Sequence, residues 1–266
     1  MGIILMGIQF LSRSLNLPKS AHEIESRFTH DMWLMTDAER SALAVLLSNL
    51  RPECAIEIGT YKAGSLGILS KYSNRVYSID IDPSFRAEYC NIFPNVKFIV
   101  GNSQEVLPAL LEDIQRNKEP LGFILVDGNH SGKGIRIDIE NILRFSPSQP
   151  LIIIMHDSFN PECRKGILTA NWSSNPYVQM LELDYVVGRF ATKEESDNYR
   201  TMWCGFALAI MLPEQRVGDV FIHQNESLMF QTAYWRSVYP LQKIKNCFSL
   251  SKLKVKIADF AGLMQN

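Results

Sequence analysis

Short apolar runs and longer amphipathic segments alternate along the chain between residues 55 and 157. The runs are rich in Val, Ile and Leu, as is typical of strands covered by helices on both faces, and segments with apolar residues at helical spacing separate them. This alternation predicts an α/β fold built on a doubly wound, mostly parallel sheet. The predicted strands span residues 55–59, 75–82, 96–101, 123–127 and 151–157.

Helices are predicted between these strands and before the first one. The sequence Thr36-Asp37-Ala38-Glu39 has the form of a capping box, in which a hydroxyl and a carboxylate satisfy backbone N–H groups at a helix start. The helix that it opens is expected to end at Arg51-Pro52. The other predicted helices span residues 64–72, 83–93, 103–117 and 134–143.

The pattern changes after residue 157. A helix is predicted over residues 163–172, a strand within 178–189 and a further strand over 205–212, with a charged loop at 193–200. Two late strands joined by a loop predict an antiparallel hairpin added at the edge of the sheet. The sheet is therefore expected to carry an antiparallel strand near the C-terminus.

The composition is ordinary for a globular protein. The 266 residues are 46% hydrophobic and 21% charged, and the formal net charge of -1 gives no electrostatic reason to expect a nucleic-acid partner. We expect one domain overall, in which a core is flanked by two extensions. An N-terminal helical extension or lid covers residues 1–50, the core covers 51–215, and a C-terminal extension packed on the core covers 216–266.

The cysteines and the two ends of the chain bear on compartment and partners. The five cysteines are scattered without a CxxC pair, so neither a zinc site nor a disulfide framework is indicated, and we expect a cytoplasmic location. The apolar segment Met1 to Leu11 is too short to span a bilayer. We expect it to pack on the protein or on a partner subunit of a homo-oligomer. Lysines after Leu241 favour a solvated amphipathic helix over an anion-binding surface.

A polar or acidic residue closes each of the first five predicted strands. These residues are Glu57, Asp80 or Asp82, Asn102, Asp127 and Asp157. In a doubly wound sheet the ligand lies at the carboxyl ends of the strands, close to the point where the strand order reverses. The five strand ends therefore predict a single ligand-binding crevice.

The turn after the first strand indicates which kind of ligand this crevice accepts. A dinucleotide requires the spacing G-x-G-x-x-G, whereas the aligned positions here are Gly59, Tyr61 and Gly64, and the Tyr61 side chain would obstruct a pyrophosphate. Asp80 lies 21 residues after Gly59 and can accept hydrogen bonds from two ribose hydroxyls. S-adenosylmethionine contains adenosine without a pyrophosphate and satisfies both conditions.

Three stretches together resemble the cofactor site of class I S-adenosylmethionine-dependent O-methyltransferases of the catechol O-methyltransferase type. They are residues 57–65 (EIGTYKAGS), Asp80 and residues 101–104 (GNSQ), and the resemblance extends over residues 52–157. It implies a Rossmann-like sheet in which the glycine turn faces the methionine part of the cofactor, Asp80 holds the ribose, and Ser103 with Gln104 lies at the adenine. The family often has glycine where this chain has Ala63. The implied cofactor-binding residues are Glu57, Gly59, Thr60, Tyr61, Gly64, Ser65, Asp80, Asn102, Ser103, Gln104 and Asp127.

Two aspartates and two histidines follow the fourth and fifth predicted strands. Asp127 and Asp157 would be held a few ångströms apart, which is unfavourable unless they share a cation or one of them is protonated. A divalent metal would resolve this conflict and would lower the pKa of an acceptor hydroxyl. His130 is the candidate general base, since the ordinary pKa of histidine lies near neutral pH.

The same arrangement resembles the metal-dependent sugar O-methyltransferases of macrolide tailoring and their cephalosporin-hydroxylase-like relatives. The resemblance implies Asp127 and Asp157 as metal ligands and His130 as the base. His156 stands where that family tends to place a glutamate. It is either a third ligand, which shifts the preferred metal from magnesium toward manganese or iron, or a histidine packed behind the ligands. The predicted metal set is Asp127, His156 and Asp157, with magnesium or manganese as the ion.

Three functions are compatible with these residues. The preferred hypothesis is an S-adenosylmethionine-dependent, divalent-metal-assisted methyl transfer to a hydroxyl of a small molecule, such as a sugar or a natural product. A metal-dependent oxygenase would instead place His130, His156 and one aspartate on an iron ion. The third hypothesis is a non-catalytic protein that binds an S-adenosyl ligand.

Several aromatic side chains and one arginine suit either an acceptor pocket or ordinary core packing, since aromatic faces fit sugar rings and phenols alike. These residues are Phe28, Trp33, Trp172, Tyr177, Arg189 and Trp203. Asp138 lies in the helix after the fourth strand and is expected to face solvent or to cap the helix rather than to react.

Overall fold

The computed structural model describes residues 34–192 and 201–224. The predicted apolar N-terminal segment, the charged loop at 193–200 and the basic tail lie outside the described residues, as do Phe28 and Trp33. The described part of the chain folds around an eight-stranded sheet with an apolar core on each of its two faces.

Helices and strands alternate from residue 37 to residue 169, as the apolar pattern predicts. Within the described residues the strands are β1 (Cys54–Ile58), β2 (Arg75–Asp80), β3 (Val96–Val100), β4 (Leu121–Val126), β5 (Leu151–His156), β6 (Val178–Val186), β7 (Arg189–Phe190), β8 (Met202–Trp203), β9 (Phe206–Met211) and β10 (Phe221–His223). The α-helices are α1 (Asp37–Leu50), α2 (Gly64–Tyr72), α3 (Ser84–Tyr89), α4 (Ser103–Arg116), α5 (Gly132–Ile142) and α6 (Pro161–Thr169). None of these helices is long and apolar enough to cross a membrane.

The strand order in the large sheet is β10-β6-β9-β5-β4-β1-β2-β3. Strands β1 to β5 are parallel to one another, whereas β9 runs antiparallel to both of its neighbours. This confirms a doubly wound, mostly parallel, Rossmann-like sheet with an antiparallel strand near the C-terminus. The chain moves outward from β1 through β2 to β3 and then returns to place β4 on the other side of β1. The carboxyl ends of β1 and β4 therefore border the crevice in which such folds bind their ligands.

The late hairpin differs in one respect from a simple addition at the edge. Strand β9 enters between β5 and β6, so it pairs with the last parallel strand of the core. Because β9 is antiparallel, its first residues lie at the same edge of the sheet as the last residues of β5. His156 is thus the register partner of Phe206, and Cys204 and Gly205 reach the site region.

The predicted capping box opens helix α1. The backbone N–H of Glu39 donates to Thr36 Oγ1 at 3.2 Å, and Thr36 N donates to Glu39 Oε2 at 2.6 Å. The apolar face of α1, which includes Leu43 and Leu47, packs into the core against α2. The packing turns the Glu39 carboxylate inward as well, and Glu39 is completely buried.

Candidate active site

A cavity of about 840 Å³ opens at the carboxyl ends of the central strands. Residues that follow β1, β2, β3, β4 and β5 all line it, so the predicted convergence of strand ends is present. Its mouth carries the exposed apolar side chains of Leu34, Tyr61 and Ile81. The size and mixed lining are those of a small-molecule site.

The turn after β1 brings the backbone close to the end of β4. Gly59 has a φ of +88°, and a Cβ atom built there would lie 2.1 Å from the carbonyl oxygen of Asp127. No residue other than glycine fits this close approach. Ala63 also adopts the left-handed conformation, with a φ of 59°, at the N-cap of α2. This is a backbone conformation that favours glycine.

Asp80 lines the cavity and also holds the turn in place. Its Oδ2 accepts hydrogen bonds from the backbone N–H groups of Thr60 at 2.8 Å and Tyr61 at 3.0 Å. Asp82, the alternative candidate at this strand end, is exposed and accepts instead from Ser84 N at the start of α3. The structure therefore favours Asp80 over Asp82 as the residue that faces a ligand.

Glu57 supports the turn from behind rather than facing the cavity. It is completely buried, and its two carboxylate oxygens accept hydrogen bonds from Ser65 Oγ at 2.7 Å and Ser78 Oγ at 3.1 Å. Burial raises the pKa of Glu57 to about 8. Like Gln104, Glu57 is not among the residues that line the cavity. The other predicted cofactor residues do line it: Gly59, Thr60, Tyr61, Gly64, Ser65, Asp80, Asn102, Ser103 and Asp127.

Asp138 differs from the expectation that it faces solvent, because α5 packs on α4 and turns this side chain inward. Asp138 is completely buried, and its Oδ1 accepts a hydrogen bond of 2.8 Å from Ser103 Oγ at the start of α4. The expectation was wrong because a single charged position in an amphipathic helix does not reveal a polar partner on a neighbouring helix.

His130 and Asp157 form a hydrogen-bonded pair at the end of the cavity bordered by β4 and β5. The His130 Nδ1 atom lies 2.7 Å from Asp157 Oδ2, and this hydrogen bond raises the pKa of His130 above its ordinary value. The side chain of His130 is 46% exposed, whereas that of Asp157 is only 5% exposed. Cys204 N donates to the other oxygen, Asp157 Oδ1, at 2.7 Å. The buried carboxylate thus orients the imidazole and leaves Nε2 as the ring nitrogen available to a bound acceptor.

His156 lies deeper and contacts two other carboxylates. Its Nδ1 is 2.7 Å from Asp127 Oδ1, and its Nε2 is 3.0 Å from Glu39 Oε1 in an ion-pair contact that is poorly aligned for a hydrogen bond. Burial by itself would lower the pKa of His156, but the charge of Asp127, the hydrogen bond to Asp127 and the contacts with Cys204 and Glu39 outweigh it. The pKa of His156 therefore lies well above its ordinary value, which favours the protonated ring between these carboxylates.

Glu39 is the site residue that the sequence analysis missed. Its Oε1 also accepts the backbone N–H of Gly205 at 2.5 Å, so it joins α1 to the start of β9 and to His156. In the sequence, Glu39 is fully accounted for by the capping box, which gives no sign of a second role. The 166-residue separation between Glu39 and Gly205 places this contact beyond any local pattern.

The described arrangement does not fit a metal ion held by Asp127, His156 and Asp157. Among the described residues, the groups of donor atoms close enough to share an ion are Glu39 with His156 and Cys204, and His130 with Asp157 and Cys163, and Asp127 joins neither. Both ring nitrogens of His156 face carboxylates, and both oxygens of Asp157 already accept hydrogen bonds. The ring of His156, whose pKa is raised, lies beside Asp127 where the sequence predicts a shared cation.

The proposed acceptor-pocket residues divide into two groups. Arg189 and Trp203, on the ribbon formed by β7 and β8, line the cavity. Trp172 is buried, donates from its indole N–H to Ile167 O at 2.7 Å and belongs to the core, and Tyr177 packs against the same core. The β7–β8 ribbon thus contributes to the cavity from outside the main sheet.

The comparisons with known proteins concern the segment that contains this site. Residues 56–158 match the family model of a methyltransferase domain. The matched segment includes the glycine turn, Asp80, and the pair formed by His130 and Asp157. The match supports a methyltransferase as the class of protein. No curated protein sequence matches the chain significantly.

Three solved structures illustrate the structural similarity. An O-methyltransferase from Bacillus cereus in complex with SAH is 18% identical, with a TM-score of 0.49, over 76% of this chain and 96% of that chain. Cofactor-bound Rv0187 from MTB is 14% identical, with a TM-score of 0.47, over 81% of this chain and 91% of that chain. The N-methyltransferase NodS from Bradyrhizobium japonicum WM9, in complex with S-adenosyl-L-homocysteine, is 13% identical, with a TM-score of 0.47, over 73% and 96% of the two chains.

Proposed function

We propose that this protein is an S-adenosylmethionine-dependent methyltransferase that acts on a hydroxyl group of a small molecule. The observation that carries the proposal is the placement of a general base and a nucleoside-type site in one cavity. His130, backed by the buried carboxylate of Asp157, lines the same cavity as the glycine turn and Asp80. The match of residues 56–158 to a methyltransferase domain supports the same class of reaction.

The order of the strands orients the methyl donor in this proposal. Asp80 ends β2 and accepts hydrogen bonds from the ribose hydroxyls. The turn after β1 contacts the methionine part of the cofactor. The reacting end then lies beyond β1, at the ends of β4 and β5 where His130 is found. The strands from β3 to β4 cover three interstrand spacings, about 14 Å, which is long enough for an extended nucleoside with an amino-acid arm.

The reaction itself needs few groups from the protein. S-adenosylmethionine supplies a methyl group on a sulfonium sulfur. An oxygen nucleophile attacks the methyl carbon directly, and the sulfur leaves. His130 accepts the hydroxyl proton at Nε2 as the new C–O bond forms and the C–S bond breaks. Asp157 stabilises the resulting imidazolium, because its Oδ2 accepts the hydrogen bond from Nδ1. The rest of the rate increase comes from holding the two reactants in line.

The lining at the mouth supports a ring-bearing acceptor. Leu34 and Trp203 offer apolar and aromatic surface to the cavity, and Arg189, the register partner of Trp203, adds a cationic group. Aromatic faces of this kind suit sugar rings and phenols. We therefore propose a sugar or a natural product with a free hydroxyl as the acceptor class.

The sequence also predicts assistance by a divalent metal ion. It would rest on Asp127 and Asp157 as ligands, and His156 would have to release a carboxylate before it could join them. Because the described contacts do not fit such an ion, the proposed reaction does not include a metal ion. The oxygenase hypothesis meets the same difficulty, since His130 and His156 pair through Nδ1 with different carboxylates.

The cysteines support a reducing compartment for this enzyme. Within the described residues all four cysteines are free thiols: Cys54, Cys90, Cys163 and Cys204. Buried free thiols persist where disulfides are kept reduced, so we propose that the protein acts in the cytoplasm.

A calorimetric titration with S-adenosylhomocysteine tests the proposed function. We expect measurable binding by the wild-type protein and a loss of about 10- to 100-fold in affinity for Asp80→Asn, which removes a charged acceptor from the ribose. Asp82→Asn is the matched control, because Asp82 is two residues away and does not line the cavity. An acceptor screen with a labelled methyl donor then identifies the hydroxyl substrate. Failure of the wild-type protein to bind S-adenosylhomocysteine would overturn the proposal.

A further inference from the structure

The outer end of the cavity carries a buried pair whose function the proposed reaction does not explain. Ser103 lines this end, and its hydroxyl donates to the carboxylate of Asp138 at 2.8 Å. Asp138 is completely buried, and its second oxygen, Oδ2, has no hydrogen-bond partner among the described residues. A buried carboxylate with so few partners costs folding free energy. The pair lies directly behind the cavity lining, so Asp138 can act on a bound ligand through Ser103.

The position of Ser103 relative to the other groups indicates which part of the ligand it meets. This step rests on the proposed function. The methyl group must reach His130 beyond the ends of β4 and β5, and the ribose lies at Asp80 on β2. The purine is attached to the opposite side of the ribose and therefore extends toward β3, the next strand outward. Ser103 comes directly after β3 and lines the cavity there, beside Ile81 and Asn102.

The direction of the Ser103 hydroxyl decides what it can recognise. A serine hydroxyl has one proton and two acceptor lone pairs. Since the proton is directed to Asp138 Oδ1, the oxygen presents only lone pairs to the cavity. The neighbouring side-chain oxygen of Asn102 accepts the N–H of Gln104 at 3.1 Å, which holds it at the start of α4. The cavity therefore offers Ser103 Oγ as a fixed acceptor at the purine end.

We propose that Asp138 is a specificity-determining residue that positions the Ser103 hydroxyl. In this position Ser103 Oγ accepts a hydrogen bond from the 6-amino group of adenine. The site therefore rejects 6-oxo purines. A 6-oxo purine presents an acceptor at the same place, so it would meet the Ser103 lone pairs without a shared proton. Sites built around a substrate N–H reject the analogue that lacks it, because a polar group is left unpaired. Asp138 touches no ligand and acts entirely through Ser103.

Replacement of the carboxylate by an amide tests this proposal. In Asp138→Asn the amide can donate its N–H to Ser103 Oγ, which frees the hydroxyl proton to turn into the cavity. We expect the wild-type protein to bind S-adenosylhomocysteine at least about tenfold more tightly than its 6-oxo analogue, S-inosylhomocysteine. In Asp138→Asn this ratio should fall to near one, through weaker binding of the first ligand and tighter binding of the second. Calorimetry with both ligands measures the ratio.

Two further variants keep the test decisive. Ser103→Ala removes the acceptor altogether, so it should abolish the preference by weakening the adenosine ligand alone, and it applies even if Asp138→Asn fails to fold. Glu105→Gln, an exposed change in the first turn of α4, is the matched control and should keep the wild-type ratio. An unchanged ratio in the folded Asp138→Asn or Ser103→Ala variants would overturn the inference alone. Absence of S-adenosylhomocysteine binding by the wild-type protein would overturn the proposed function and this inference together.

Discussion

His130 Nδ1 lies 2.7 Å from Asp157 Oδ2, at the meeting point of the loops that follow β4 and β5. The carboxylate is held in turn by the backbone N–H of Cys204, which precedes the antiparallel strand β9. The orientation of the candidate base therefore depends on three separate parts of the chain. The predictions below follow from this pair and from the contacts around it.

Removal of the base should affect turnover far more than cofactor binding. We expect His130→Ala to lower methyl transfer by about 10²- to 10⁴-fold, as is typical of the loss of a general base. Affinity for S-adenosylhomocysteine should change less than about twofold, since His130 lies at the reacting end. His223→Ala, on the edge strand β10, is the control and should retain full activity. A fully active His130→Ala variant would show that another group takes the proton.

Asp157→Asn should change the pH dependence of the reaction. His130 acts as a base only when it is neutral, so the rate rises with pH through the pKa of His130, which the hydrogen bond to Asp157 raises. The amide removes that charge, so the pKa should fall and the rise should move to lower pH, while the plateau rate decreases. Asp157 has a φ of 56°, a conformation that asparagine tolerates. If the acidic limb of the pH–rate profile does not move in Asp157→Asn, Asp157 does not control the pKa of His130.

Methyl transfer should be insensitive to chelators, because both ring nitrogens of His156 face carboxylates and Asp127, His156 and Asp157 do not form a ligand set. We expect turnover in chelator-treated buffer to match that in manganese or magnesium, and calorimetry with manganese to show no binding. His156→Glu replaces the cation with a carboxylate beside Asp127 and should create manganese binding. His223→Glu is the matched control on the exposed edge strand. Loss of wild-type activity with a chelator, restored by manganese, would favour the metal hypothesis drawn from the sequence.

Glu39→Gln should destabilise the fold. The change leaves the buried His156 imidazolium without the carboxylate beside Nε2, and we expect a loss of about 2 kcal/mol in the free energy of unfolding. The pKa of Glu39 is lowered, because its interactions with His156 and Thr36 outweigh the opposite effect of burial. The contribution of Glu39 to the free energy of unfolding is therefore present above the ordinary carboxyl pKa and lost as the pH falls. The difference in this free energy between the wild-type protein and the variant should shrink in acid. Asp37→Asn, on the exposed side of α1, is the control for denaturant titrations.

Gly59→Ala should disrupt the turn by a backbone collision. The added Cβ would lie 2.1 Å from the carbonyl oxygen of Asp127, and we expect a loss of about 3 kcal/mol or more together with loss of cofactor binding. Gly218→Ala isolates the conformational part of this effect. Gly218 has a φ of +87°, close to the +88° of Gly59, but a Cβ there meets nothing within 4 Å. The control should cost only about 1 kcal/mol, and equal losses in thermal unfolding would disprove the collision.

Much of the fold follows from local patterns. The predicted strands at 55–59, 123–127 and 151–157 differ by at most two residues at either end from β1, β4 and β5. This agreement arises because buried parallel strands have continuous apolar runs and helices have a different period. The capping box could also be predicted from the sequence, since Thr36 and Glu39 lie within four residues of each other.

By itself, the sequence determined the order of the elements, the crevice at the strand ends and the residues brought there, including Asp80, Asp127, His130 and Asp157. Only the tertiary structure decided how these groups pair. Glu39 reaches His156 because α1 packs on the core, and Asp138 reaches Ser103 because α5 packs on α4. Such contacts join residues far apart in the chain, so no local period encodes them. They place the His156 ring between the carboxylates of Glu39 and Asp127.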